Sequence, residues 1–316
     1  MAKKILLVVV VLGVSSLFFI PVTRQNTILI KSPFLNLYSF LASPKKWQQW
    51  RPDLRRYAAA DSGGITIHND SDAFTLNYRN LKLNVKHREN LFNIEEQNGE
   101  KTLSYAYSLL PVPDKMMDKT LVSSEKSTNL AKYLLGKIWP DSLKDTRLYD
   151  LKAYLETDSL RYGFNITDGR VPAGSIIELK QKVLAKNKFS AANQMFVSLG
   201  QYIKSHQIKQ VQPVIAQFLP ANNDSLQVNV GLFINKEITP DKPFHYVSMP
   251  KGGLLYIITY HGKFNKRYKV YKAGEQYLND KNRNLIVLPF ETYLDNKLPA
   301  SDTDQVNIQV NFSSLP

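Results

Sequence analysis

The chain reads as an α+β protein in three parts, and three observations predict this. An uncharged apolar run, Ile5 to Val22, follows two lysines. Between residues 74 and 109, apolar side chains alternate at the two-residue period of strands. In the C-terminal half, a strand–helix–strand–strand pattern occurs twice. The expected order is a transmembrane helix, a strand-rich domain closed by a helix, and a duplicated β-α-β-β domain.

The chain has 316 residues, enough for two medium domains. It has no cysteine, which excludes disulfides, thiolate nucleophiles and cysteine zinc sites. The formal net charge is +14. That charge raises nucleic-acid binding. However, the basic runs are short, as at Lys45-Lys46, Arg55-Arg56 and Lys263 to Lys269. Nucleic acid is therefore not the expected partner. A basic surface suits anionic lipid or a cell wall equally well.

Residues 1–25 are read as an anchor or signal segment. Ile5 to Val22 is 18 residues, about 27 Å as a helix, near the ~30 Å hydrocarbon core. Lys3 and Lys4 ahead of it argue that the N-terminus stays in the cytoplasm, with the rest outside. A cleaved signal would end in small residues. Here the run ends Leu17-Phe18-Phe19-Ile20-Pro21-Val22, which favours a retained anchor in the cell membrane.

Residues 26–160 form the second part. Thr27 to Lys31 is strand-like, and Pro33 opens a helix striped by Phe34, Leu37, Tyr38 and Leu41. Trp47 and Trp50, before Pro52, are read as core. Strands follow at Phe74-Leu76-Tyr78, Leu81-Leu83-Val85 and Leu103-Tyr105-Tyr107-Leu109. The acid-rich stretch at 89–100 is read as a solvated turn, and 111–145 as irregular or partly helical. Leu148, Leu151 and Leu155 mark a closing helix. This order, with "IKSPFLNLYSFLASPKKWQQW" at 30–50, resembles the START/Bet v 1-like (SRPBCC, polyketide-cyclase-like) superfamily. The resemblance implies a helix-grip fold, a curved antiparallel sheet around a long helix.

Residues 161–316 form the third part. Lys188-Phe189 through Tyr202-Ile203 matches Lys263-Phe264 through Tyr277-Leu278 at an offset of 75. Pro213 onward matches Pro289 onward at 76, and "QVNV" at 227 matches "QVNI" at 305, offset 78. The first copy predicts a strand at 176–184, a helix at 189–206, and strands at 214–219 and 226–234. The second predicts a strand at 254–260, a helix through Phe264, Tyr268, Tyr271 and Leu278, and strands at 285–294 and 305–312. A pseudo-twofold between the copies would leave a groove at their junction.

Within "PFETYLDN" (289–296), strand alternation sets Leu288, Phe290 and Thr292 on one face and Glu291 and Tyr293 on the other. The first face is expected against helices, and the acid and phenol toward the groove. The 76 offset matches Ile215 with Glu291, so an acid replaces an aliphatic residue. Burying that acid is costly without a cation or donor.

These stretches, with "MPKGGLLYIITYHGKF" at 249–264 and the closing "VNIQVNFSSLP", resemble the GyrI-like (AraC-type effector-binding) family. The resemblance implies small-molecule binding between the two halves. It gives Glu291 the role of a polar or charge-pairing anchor for a small organic ligand, which would include a cationic one. Tyr293, Tyr256, Tyr260, His261 and Phe264 are its expected companions.

Some relatives are hydrolases, which leaves open Glu291 as a general base. No cofactor or metal is expected: the five histidines make no H-x-H or H-E-x-x-H, and no G-x-G-x-x-G or nucleophile elbow occurs.

Overall fold

A computed structural model describes residues 15–55, 65–113, 118–138, 145–171, 174–222, 224–249 and 252–314. The chain divides into two compact units, Met1–Thr157 and Asp158–Pro316. Both are α+β and each is built on one antiparallel sheet.

The apolar run departs from its expected limits. Residues 1–14 lie outside the described part. Pro21 and Val22 already belong to a strand, β1 (Pro21–Ile30). A proline has no N–H for a helix interior, and β1 finds its partner in the edge of a sheet. Among the described residues, no helix is long and apolar enough to cross a membrane.

The first unit continues through helices α1 (Phe34–Ala42) and α2 (Pro44–Trp50) into strands β2 (Thr66–Asn69), β3 (Ala73–Tyr78), β4 (Leu81–Arg88), β5 (Leu91–Asn98), β6 (Lys101–Pro111) and β7 (Thr120–Asn129). Two helices follow, α3 (Leu130–Ile138) and α4 (Thr146–Glu156). The sheet order is β1-β7-β6-β5-β4-β3-β2. Consecutive strands pair as hairpins, and β1 closes onto β7 in register from Pro21↔Asn129 to Ile30↔Thr120.

Two stretches are more regular than the sequence suggested. The acid-rich stretch contains β5, with Phe92, Ile94 and Glu96 on its buried side. The 111–145 region contains β7, whose "TLVSSEKSTN" lacks an apolar alternation. Its Thr120, Ser123 and Ser124 are buried as small polar residues. Thr120 Oγ1 donates to the Ser32 carbonyl at 2.7 Å, so burial leaves no unmet hydroxyl there.

Trp47 and Trp50 are core residues, as expected. Their rings sit 5.1 Å apart, and Trp47 Nε1 donates to the Leu41 carbonyl at 2.7 Å. Leu148, Leu151 and Leu155 of α4 pack into the same core.

The second unit opens with α5 (Asp158–Tyr162), β8 (Ile166–Arg170) and β9 (Gly174–Leu184). A 3₁₀ turn at Ala185–Asn187 leads into α6 (Lys188–Ser205), then β10 (Ile215–Pro220), β11 (Ser225–Ile234) and β12 (His245–Met249). β13 (Leu254–Lys263), a 3₁₀ turn at Phe264–Lys266 and α7 (Tyr268–Asp280) repeat that order, ending in β14 (Phe290–Tyr293) and β15 (Gln305–Ser314).

The sheet order is β12-β9-β11-β10-β14-β15-β13-β8. Its central six strands form two mirror-ordered triplets, β9-β11-β10 and β14-β15-β13, meeting at the β10–β14 pair. The duplication is therefore built into the sheet. α6 and α7 bury Met195, Leu199, Val270 and Leu278 on one face.

The phase of the repeat differs from that of the sequence match. The 3₁₀ turns start at Ala185 and Phe264, an offset of 79. Lys188 and Arg267, each directly after its turn, are thus equivalent. The K-F match was four residues out, about one helical turn, which preserves the helix face.

Candidate functional site

Glu291 sits at the junction of the two triplets. On one side it faces Ala216 of β10, and on the other Val310 of β15. It is fully buried. Its side chain lies on the helix-covered face, with Tyr293 two residues on. Thr292 pairs with Ile215 across the junction, which puts Phe290 and Thr292 on the same face as Ile215 and Gln217. This reverses the expected facing of the strand. The equivalent of Glu291 within β10 is accordingly Ala216, an offset of 75, because an even offset would flip the faces.

Three donors hold the carboxylate. Arg267 Nε donates to Oε1 at 2.5 Å, and the Tyr271 hydroxyl to the same oxygen at 2.7 Å. The Tyr293 hydroxyl donates to Oε2 at 2.5 Å. Burial, and then the negative charge of Glu291, push both phenols well above the usual tyrosine range. They therefore stay neutral donors.

The Arg267 guanidinium stacks 3.5 Å from the centroid of the Phe264 ring and 5.6 Å from that of Phe218. Phe189 completes the aromatic group, 5.0 Å from Phe264. Lys188, the pseudo-symmetric partner of Arg267, lies 4.6 Å over Phe189 and pairs with Asp302 at 2.7 Å. A carboxylate beneath an aromatic group suits a cation. Here the protein itself supplies that cation.

The other expected companions are scattered. Tyr256 stacks edgewise on Tyr277 at 5.2 Å. The Tyr260 hydroxyl donates to the Lys263 carbonyl at 2.9 Å. His261 points to the opposite, exposed face of β13. Only Glu291, Tyr293 and Phe264 come together. Sequence reasoning missed Arg267 and Tyr271; their i,i+4 spacing on one helical face, downstream of Phe264, was the available signal.

The open face of the sheet carries a groove of about 240 Å³ across the β10–β14 junction. Ile176, Ile215, Val247, Met249, Leu288 and Phe290 supply apolar walls. One wall is the segment before β14. Leu285 bridges to Ser314 and Ile286 N–H donates to the Ser313 carbonyl, but residues 287–289 leave the ladder. Ile286, Val287 and Leu288 are consecutive exposed aliphatics.

Gln217 holds this bulge, its Nε2 donating to the Leu288 and Pro289 carbonyls at 3.0 and 3.2 Å. Asn229 donates in turn to Gln217 Oε1 at 3.0 Å. The Glu178–Lys180 pair, 2.6 Å apart, adds charge at one end. At the floor, a Cβ on Gly231 would lie 2.9 Å from Ile176 Cγ2 and 3.2 Å from Ile215 Cγ1.

The first unit has its own polar cleft, about 380 Å³, lined in part by Arg51, Asp53, Glu96 and Arg147. Arg51 donates to Glu96 at 2.9 Å and pairs with Asp53, while Arg147 donates to Glu96 at 3.0 Å. Burial opposes ionisation of Glu96, yet Arg51 and Arg147 outweigh it and hold the carboxyl below the usual range. The cleft is thus charge-compensated from within. Among the described residues, no group of three or more His, Asp or Glu side chains is arranged to hold a metal ion.

No family model and no curated protein matches the chain. Among solved structures, it is similar to the EcmrR C-terminal domain at 14% identity, covering 48% of this chain and 97% of that one, TM-score 0.40. It is also similar to a START superfamily protein from Mycobacterium smegmatis at 15% identity, covering 42% and 97%, TM-score 0.29. A third is SAV2435, solved bound to tetraphenylphosphonium, at 8% identity, covering 48% and 93%, TM-score 0.30.

Proposed function

We propose that the chain is a membrane-anchored, extracytoplasmic binding protein for a small organic molecule. Its second unit, GyrI-like in its duplicated β-α-β-β order, holds the ligand on the open face of the sheet. Its first unit is START-like. The ligand is largely apolar with a hydrogen-bonding group. The apolar part lies against Ile215 and Phe290, and the polar part meets Gln217 and Asn229.

One observation carries this reading. The groove keeps an apolar wall exposed where a sheet surface facing water would be polar. Lys3 and Lys4 before the apolar run support the anchor and its orientation.

Glu291 enters this reading as an anchor of the fold beneath the groove. A general base needs a lone pair within reach of a substrate proton. The carboxylate of Glu291 is buried and held by one guanidinium and two phenols, which weighs against the hydrolase alternative.

Native mass spectrometry of the full chain, released gently from detergent, tests the binding. The expected result is a co-purified small molecule in the wild type that is lost in Ile215→Trp, whose indole fills the groove. A ligand retained by Ile215→Trp, or none in the wild type, would count against the groove.

A further inference from the structure

We infer that α3 and the Leu17–Ile20 turn form a second membrane contact, lying on the lipid surface beside the anchor. This rests on the anchor proposed above and goes beyond it.

The turn and the helix are one structural piece. The Leu130 N–H donates to the Ile20 carbonyl at 2.9 Å, and the Ala131 N–H to the Leu17 carbonyl at 3.1 Å. The start of α3 is therefore fixed to the point where the apolar run meets β1. Ala131 faces inward and is buried. Apolar side chains also face outward: Phe19 is 84% exposed, Leu134 43% and Leu135 49%, with Phe18 and Ile20 also exposed. Five large apolar side chains gathered on one exposed piece mark an interaction surface.

The length of the run identifies the occupant. Because β1 takes Pro21 and Val22, the uncharged stretch ahead of the sheet is Ile5 to Ile20, 16 residues. Helical throughout, it would span only about 24 Å, and the Leu17–Ile20 turn takes it further below a ~30 Å hydrocarbon core. A short span draws its flanking residues into the interface or thins the bilayer. The flanking residues here are Phe18, Phe19 and Ile20, with Leu134 and Leu135 on the helix bonded to them. An amphipathic helix at this level buries its apolar side at the headgroup boundary. The net charge of +14 favours an anionic surface.

The absence of cysteine makes the test direct. Single cysteines at Leu135→Cys and Leu110→Cys, labelled with an environment-sensitive fluorophore, are read on the full chain in phosphatidylcholine–phosphatidylglycerol vesicles. Leu110 is a fair control, being 47% exposed and apolar. It pairs with Leu121, eight residues along β7 from Asn129, where β7 runs into α3. That separation is roughly 27 Å of strand.

The expected result is a blue-shifted label at 135 that lipids carrying nitroxide on their acyl chains quench several-fold more than the label at 110. Equal, weak quenching at both sites in protein that floats with the vesicles would overturn the second contact and leave the anchor standing. Protein that fails to float would overturn both.

Discussion

At the residue scale, Glu291 shows how an unmatched acid is accommodated inside a sheet. Its charge is met by Arg267 from the turn before α7, by Tyr271 one helical turn later, and by Tyr293 on its own strand. Removing one partner of a buried pair leaves the other charged without compensation, which costs about 3–5 kcal/mol. Arg267→Ala is therefore expected to destabilise the second unit by that amount, read as a lower urea midpoint by circular dichroism. Glu291→Gln added to Arg267→Met should recover most of the loss, because the paired charges leave together. An Arg267→Ala midpoint equal to wild type would reject the pairing as a structural element. The ligand-anchor role expected for Glu291 changes accordingly: Glu291→Gln should register first as lost stability.

At the element scale, α7 approaches β15 through Gly274. A Cβ there would lie 2.1 Å from Phe312 Cζ, and Phe312 is fully buried. Helix propensity alone makes Gly→Ala favourable by roughly 1 kcal/mol. Overpacking costs typically about 1–3 kcal/mol, and three atoms of the buried ring lie within 2.5 Å of that Cβ. Gly274→Ala is expected to lower the melting temperature, with the packing term winning. A raised melting temperature would show that the helix simply shifts outward.

In the first unit, β5 brings Glu96 between Arg51 and Arg147, and Asp53 also pairs with Arg51. Both carboxyls are held below their ordinary values. A depressed carboxyl binds fewer protons folded than unfolded, so its stabilisation is complete above the unfolded pKa and lost as pH falls through the folded one. Urea midpoints should be flat above about pH 5 and fall below it. The three tryptophans, Trp47, Trp50 and Trp139, all belong to this unit, so their fluorescence reports it selectively. Glu96→Gln should lower the plateau and flatten the acid limb. An acid limb of unchanged steepness would assign it to other groups.

At the scale of the whole molecule, the two units each carry their own core. The second begins at α5, ahead of its sheet. Tyr162 packs at 5.4 Å on Tyr277 and donates to Asp280 at 3.0 Å, while Arg161 pairs with Asp280 at 2.8 Å. A fragment of residues 158–316 is expected to fold alone, with dispersed amide NMR signals. One starting at residue 166 should be markedly less stable. Equal melting of the two fragments would remove α5 from the unit.

Sequence alone determined the α+β class, the tryptophan core and the doubled strand–helix–strand–strand order. These follow from periodicity and composition, which local physics writes along the chain. β7 escaped because, apart from Val122, its buried side chains are Thr120, Ser123 and Ser124, whose partners lie distant in sequence. The facing of Glu291 escaped because a shift of one residue in the repeat reverses a strand, and only the pairing with β10 and β15 fixes that register. Arg267 and Tyr271 were visible as residues, but their convergence on Glu291 depends on where α7 lies over the sheet. That position is decided by packing at Gly274 and Phe312, a contact between residues no sequence pattern joins.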